Sequence, residues 1–159
     1  MKIHIFCLAF FLFVIPATSY GQIDSDSSEK EAVIAVIDQL FLGMLKGDSS
    51  MVRATFDPNM RLMTVFEDKD GKPTIKMGNA EEFIAAVGSP HAPEWREKIW
   101  SYDVQIDGRL ATAWTEYTFF LGTQLLHCGV NAFQFFESAD GWKIIQITDT
   151  RRKEGCRAE

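Results

Sequence analysis

From Trp95 onward the hydrophobic pattern of the chain takes a period of two and keeps it to residue 151, and no other feature restricts the fold as much. Successive side chains of a strand point to opposite sides, so sustained alternation marks strands with one face against a core. The segments 96–106, 109–121, 124–137 and 142–151 carry it. Between them stand Asp107-Gly108, Leu121-Gly122-Thr123-Gln124 and Ser138-Ala139-Asp140-Gly141, whose glycines and small polar residues suit tight hairpin turns. The C-terminal half therefore reads as long strands joined in sequence.

The upstream half has the other period. Ser28 is followed three residues later by Glu31, the capping-box spacing, and Val33, Ile34, Ile37, Leu40, Phe41, Met44 and Leu45 then recur at helical intervals, predicting a helix over 29–46. Gly47 ends it, and Asp48-Ser49-Ser50 caps a shorter helix with Met51, Val52 and Phe56 that stops at Asp57-Pro58. Met60 to Phe66 and Lys72 to Met77 read as two short strands around Asp68-Lys69-Asp70-Gly71. Asn79 opens a third helix with Glu82 at the capping-box position and Phe83, Ile84 and Val87 on its apolar side. The expected class is α+β: three N-terminal helices packed on a strongly curved, mainly antiparallel sheet forming a cone, with a pocket enclosed by the long strands.

With Asp107-Gly108 as a two-residue turn, Val104, Ile106, Ala111, Ala113, Thr115 and Tyr117 share one sheet face, and Leu110, Thr112, Trp114, Glu116, Thr118 and Phe120 the other. A turn at Gly122-Thr123 carries the first face onto Leu126, Cys128, Val130, Ala132 and Gln134, and the second onto His127, Gly129, Asn131, Phe133 and Phe135. A bulge in any of these strands exchanges the assignments locally. Both faces are substantially apolar, so one is expected to cover the helices and the other a second copy of the chain, giving a homodimer through the sheet.

The 47% hydrophobic content of the 159 residues is partly the property of the N-terminus. Lys2 precedes an almost uncharged run from Ile3 to Ile15, then Pro16 and the small-residue stretch to Gly21, which reads as a signal peptide over 1–21. The run is shorter than the roughly 20 residues that cross a bilayer, so no stable membrane anchor is expected. Cleavage leaves 138 residues of net charge near −7: a flexible leader at 22–28, one domain at 29–152 and a polar tail at 153–159, exported to the periplasm or secreted. The acidic balance and the lack of a sustained Lys/Arg stripe argue against nucleic acid. Cys128 lies in an apolar segment and Cys156 in the tail; we expect a buried free thiol at Cys128 in preference to a disulfide between them.

Gly108-Arg109-Leu110-Ala111 entering a long strand, His127-x-Gly129 in the next, and Asp140-Gly141-Trp142-Lys143-Ile144 opening the last, with two helices and a third ahead of them, resemble the nuclear-transport-factor-2-like superfamily over roughly 29–152. The chain is most similar to the putative lumazine-binding and polyketide-cyclase-like branches of exported bacterial proteins. The resemblance implies a cone with a hydrophobic pocket and a dimer packed through the sheet, and it leaves function open among isomerases, cyclases, dehydratases and ligand-binding proteins.

No zinc-binding His-Glu-x-x-His, phosphate-cradling Gly-rich loop, Gly-x-Ser-x-Gly elbow or Cys-x-x-Cys is present, so no metal or cofactor is expected. The candidate catalytic residues are His127, whose imidazole exchanges protons near neutrality, Tyr117 as an oxyanion donor, and Asp149 as an acid or base. Trp114, Glu116, Asn131 and Gln134 are the candidate ligand contacts. The leading expectation is an apolar cone pocket binding an aromatic or lipid-like small molecule. The alternatives are a cofactor-independent isomerase, cyclase or dehydratase using a Tyr/His/carboxylate set, and a dimeric interaction protein without a ligand.

Overall fold

A computed structural model describes the backbone of residues 21–158 and the side chains of residues 26–158; the signal-peptide expectation for 1–21 falls almost wholly outside them. The first helix, α1 (Gly21–Lys46), begins earlier than the capping-box spacing at Ser28 predicts and takes in the expected leader. Val33, Ile37, Leu40 and Met44, spaced by three and four, form its buried stripe. Gly47 reverses the chain at φ 66°, a region open to glycine without a Cβ penalty. Asp48 then caps α2 (Ser49–Thr55), its Oδ1 accepting from the amides of Ser50 and Met51 at 3.0 Å each.

The chain continues through β1 (Phe56–Glu67), β2 (Pro73–Gly78), α3 (Ala80–Gly88), β3 (Trp95–Ile99), β4 (Asp103–Asp107), β5 (Leu110–Leu121), β6 (Gln124–Ser138) and β7 (Gly141–Thr150). Asn79 caps α3 as its spacing to Glu82 predicts, accepting from the amides of Glu81 and Glu82. The segment 96–106 is two strands rather than one: β3 and β4 pair with successive stretches of β5, separated by Trp100-Ser101-Tyr102.

The sheet runs β2-β1-β7-β6-β5-β3, with β4 beside β5, and β1 lies parallel to β7 in an otherwise antiparallel array. This corrects the expected cone. The sheet is open, its border strands β2 and β3 do not meet, and strand length is taken up by bulges rather than by strong continuous curvature. The helices cover one face, here called inner. Ile37 and Leu40 of α1 and Val52 of α2 share a packed core with Ala111, Ala113, Phe133, Phe135 and Ile144 of the sheet, and Phe41 meets Phe133 edge to face.

Two bulges decide what faces that core. In β5–β6, Phe119 pairs with His127 and Phe120 with Leu125, so Leu126 is an extra residue. In β6–β7, Gln134 pairs with Gln146 and Phe135 with Ile144, so Ile145 is extra and both Ile144 and Ile147 reach the inside. The first bulge overturns the face assignment drawn from an unbroken hairpin. From His127 onward the odd residues of β6, not the even ones, share the inner face with Thr115 and Tyr117. The β4–β5 faces stand as expected, because Ile106 pairs with Ala111 where a two-residue turn at Asp107-Gly108 would pair it with Arg109, and a slip of two preserves parity.

Cys128 and Cys156 form a disulfide with Cα atoms 5.5 Å apart, against the expected free thiol. Arg152 and Cys128 exchange backbone hydrogen bonds at 2.9 Å, and Thr118 donates to the carbonyl of Arg157 at 2.9 Å, so the tail doubles back across β6 and β5 on the outer face. Among the described residues no helix is long and apolar enough to cross a membrane.

Candidate functional site

The inner face is apolar at one end and polar at the other. Pairing places Thr115 of β5, Asn131 of β6, Asp149 of β7 and Thr64 of β1 in one row across the sheet. The adjoining rows add Tyr117 and His127, and Glu97 enters from β3 opposite Phe119. Asp149 is the hub. Its Oδ1 accepts from the Thr64 hydroxyl at 2.6 Å, and its Oδ2 accepts from Arg151 Nε at 2.7 Å and from the Tyr117 hydroxyl at 3.2 Å. The same phenol lies 2.9 Å from the carbonyl of Thr150.

Gly129 makes this reach feasible. A Cβ there would stand 1.8 Å from the carbonyl oxygen of Thr150, so any side chain would displace β7 from the phenol it meets. The His127-x-Gly129 pattern thus has a packing reason. His127 itself is half-buried, stacked on Phe119 with centroids 5.0 Å apart and edge-on to Tyr117 at 5.8 Å.

The electrostatics follow from burial around one ion pair. Withdrawal of the Glu97 carboxyl from solvent, reinforced by the negative charge of Asp149, pushes its pKa from 4.5 up to about 8, although an Asn131 amide donating at 2.7 Å and the charge of Arg151 work the other way. Burial, then the positive charge of Arg151, pulls the His127 imidazole down to about 4. The Tyr117 phenol is driven upward by burial and by the charges of Glu97 and Asp149, so it keeps its proton. Burial opposes the charge of Arg151, but the hydrogen bond and charge of Asp149 outweigh it and hold the guanidinium ionised. At neutral pH the cluster contains a protonated carboxyl, a neutral imidazole, a protonated phenol and one carboxylate paired with one guanidinium.

Of the residues singled out from sequence, Tyr117, His127, Asn131 and Asp149 meet here. Asp149 is buried and paired with a half-exposed Arg151. Trp114, Glu116 and Gln134 lie on the opposite, outer face, and Trp114 is 54% exposed there. Glu97 and Thr64 were not anticipated. For Glu97 a signal existed: in Trp95-Arg96-Glu97-Lys98-Ile99 the carboxylate occupies the parity of Trp95 and Ile99, the apolar one.

The apolar cone pocket is likewise corrected. Two concavities among the described residues are a groove of about 470 Å³ on the outer sheet face beside Trp114, Gln134 and Gln146, and one of about 730 Å³ beside Asp38, Leu42 and Met51 on the helices. Neither opens between helices and sheet, where Phe133, Phe135, Ile37 and Leu40 fill the interior. Among the described residues no group of three or more His, Cys, Asp or Glu side chains is placed to hold a metal ion.

The sequence profile of the putative lumazine-binding family matches residues 28–148. The chain belongs to that family. Among curated proteins no sequence relative matches it. Solved structures related to this putative lumazine-binding family member share its fold at low identity. One is a protein of unknown function from Mycobacterium tuberculosis, with 14% identity, 86% of this chain and 79% of that chain covered, and a TM-score of 0.69. Another is a nuclear-transport-factor-2-like protein with a cystatin-like fold from Novosphingobium aromaticivorans, with 15% identity, 87% and 92% covered, and a TM-score of 0.69. A third, from Streptomyces avermitilis, is named a putative dehydratase from the nuclear-transport-factor-2-like family, with 15% identity, 80% and 99% covered, and a TM-score of 0.60. These likenesses establish the nuclear-transport-factor-2-like fold.

Proposed function

We propose that the protein is a cofactor-independent proton-transfer enzyme of the isomerase, cyclase or dehydratase type, acting after export on a carbonyl compound. One observation carries the reading: the Tyr117 hydroxyl stands 3.2 Å from the inward carboxylate of Asp149 while a second inward carboxyl, Glu97, shares the same cluster through Asn131. Removing a proton from the carbon beside a carbonyl needs a base of matched strength and a donor for the oxygen that gains charge. Glu97, with its pKa raised to about 8, supplies the base: as the carboxylate it takes the proton, and as the acid it returns it to another carbon or to a departing hydroxyl. Tyr117 supplies the donor by turning its one proton from the Thr150 carbonyl and Asp149 toward the substrate oxygen, and His127 supplies a neutral hydrogen-bonding ring. His127 is only partly covered and gives the cluster its contact with solvent.

The test is exchange of the protons beside the carbonyl in acetophenone and cyclohexanone, followed by NMR in deuterated buffer with the full oxidised protein. Catalysed exchange lost in Glu97→Gln and reduced in Tyr117→Phe is expected. Exchange no faster than in buffer, or unchanged in Glu97→Gln, refutes the reading.

We further propose that a second copy of the chain covers the outer face. Leu110, Trp114 and Phe136 stand exposed there, with Leu110 directly opposite Phe136, and Val65, Ile75 and Met77 continue the apolar surface at the β1–β2 end. Sedimentation equilibrium is expected to give a dimer that Trp114→Glu converts to monomer. A monomer at micromolar concentration in the unsubstituted protein refutes the homodimer.

A further inference from the structure

We propose that the free edge of the Arg151 guanidinium is a carboxylate-binding site, so that the molecule accepted by the polar cluster is a small carbonyl compound that also carries a carboxylate. The proposal rests on the proton-transfer reading for the role of the carbonyl and on separate geometry for the carboxylate. Arg151 touches Asp149 through Nε alone, at 2.7 Å, and its Nη1 and Nη2 groups donate to no described residue. A guanidinium present only to neutralise a buried carboxylate is best used bidentately, since two parallel bonds are stronger than one. Here the side-on contact leaves the outward N–H pair unspent, on a side chain that is 52% exposed.

Asp149 does not need that second bond. Its Oδ1 already receives the Thr64 hydroxyl and its Oδ2 the Arg151 Nε, so each oxygen has a donor without the second arm of the Arg151 fork. The backbone of Arg151 is tied to the carbonyl of Val65 at 3.2 Å, and the neighbouring Arg152 is locked to Cys128 beside the disulfide. The guanidinium thus springs from a restrained stretch of chain rather than from a loose terminus, and a fork held in advance loses less entropy when it takes a ligand. Its charge reaches the groups proposed to handle the proton, because Tyr117, Glu97 and His127 all titrate under its influence. Because Arg151 Nε and the Tyr117 hydroxyl share Asp149 Oδ2, a carboxylate seated on the guanidinium would anchor a small molecule at the border of the cluster. A neutral ligand would leave the fork unused.

Benzoate and acetophenone, nearly equal in shape and different in charge, separate the cases. Both are titrated at low salt into the full oxidised protein, and the ring resonances of His127 report binding at the cluster. Benzoate is expected to shift those resonances and to bind about tenfold or more tightly than acetophenone, with the advantage shrinking as salt is added. Arg151→Gln is expected to remove that advantage, bringing benzoate to the affinity that acetophenone has in the same variant. Arg151→Lys, which keeps a positive charge beside Asp149 should the glutamine variant fail to fold, is expected to lose most of it for want of the planar fork. Benzoate binding no tighter than acetophenone, benzoate binding that leaves His127 unshifted, or full benzoate affinity in either variant overturns the proposal. Benzoate binding lost in both variants, together with no exchange beside the carbonyl of 4-acetylbenzoate, sinks the proton-transfer reading and leaves the carboxylate site standing.

Discussion

Replacing Glu97 by glutamine should make the protein more stable, by an amount that grows with pH. The pKa of the folded carboxyl, about 8, lies above its ordinary value of 4.5. The folded state therefore holds a proton that the unfolded chain releases, and stability present below pH 4.5 is lost as pH rises toward 8. Each pH unit between the two values corresponds to about 1.4 kcal/mol. His127 complicates the lower half of that range. Its pKa falls from 6.5 to about 4 on folding, so between those values the unfolded chain binds the extra proton and stability rises with pH, against the trend from Glu97. The histidine contribution is common to both proteins and cancels in their difference, which therefore reports Glu97. Between pH 6.5 and 8 the unsubstituted protein should lose about 2 kcal/mol relative to Glu97→Gln. The glutamine keeps an oxygen for the Asn131 amide, so the substitution removes the titration and preserves the hydrogen bond. Urea unfolding of both proteins at pH 5, 6.5 and 8, disulfide intact, measures the difference directly. A gap between the two that stays constant from pH 6.5 to 8, or narrows, refutes the assignment of a buried protonated carboxyl at Glu97.

The remaining predictions concern packing. Thr115 is 0% exposed and its Oγ1 has no partner among the described residues, whereas the buried hydroxyls of Thr55 and Thr118 both donate to carbonyls, so Thr115→Val should stabilise by about 1 kcal/mol in the same urea assay. Gly129→Ala should cost at least about 2 kcal/mol, since the new Cβ meets backbone rather than a movable side chain, and should also lower any catalysed exchange by shifting Tyr117. Cleaving the disulfide, by reduction or as Cys156→Ser, removes a cross-link spanning 28 residues and should cost about 3–4 kcal/mol of unfolding free energy.

Elements set by local chemistry were legible in the sequence. The Asn79 cap, the Gly47 reversal and the apolar stripe of α1 depend on residues within a turn or two of one another, and they stand where the spacing puts them. Features that depend on distant partners were not. The alternation in β5 and β6 identified two faces, but an extra residue at 126 exchanged half of them, which is why Tyr117 and His127, assigned to opposite sides, came together and Trp114 was parted from Asn131. The parallel pairing of β1 with β7, which brings Thr64 to Asp149, has no local signature in either segment. The disulfide depends on where the tail returns, and a polar tail carries no periodicity from which to read that. The pocket was inferred from strand length, and bulging absorbed the length instead.

Leu126 carries a consequence for reading relatives. A protein that lacks this one supernumerary residue but keeps the same letters after it would send its histidine and asparagine to the outer face and turn its alanine and glutamine in toward the helices. Position-by-position identity across residues 127–137 is therefore informative about shared chemistry only when the insertion is shared too. A gap of one in an alignment is here the difference between a side chain on the helix-covered face and one on the uncovered face.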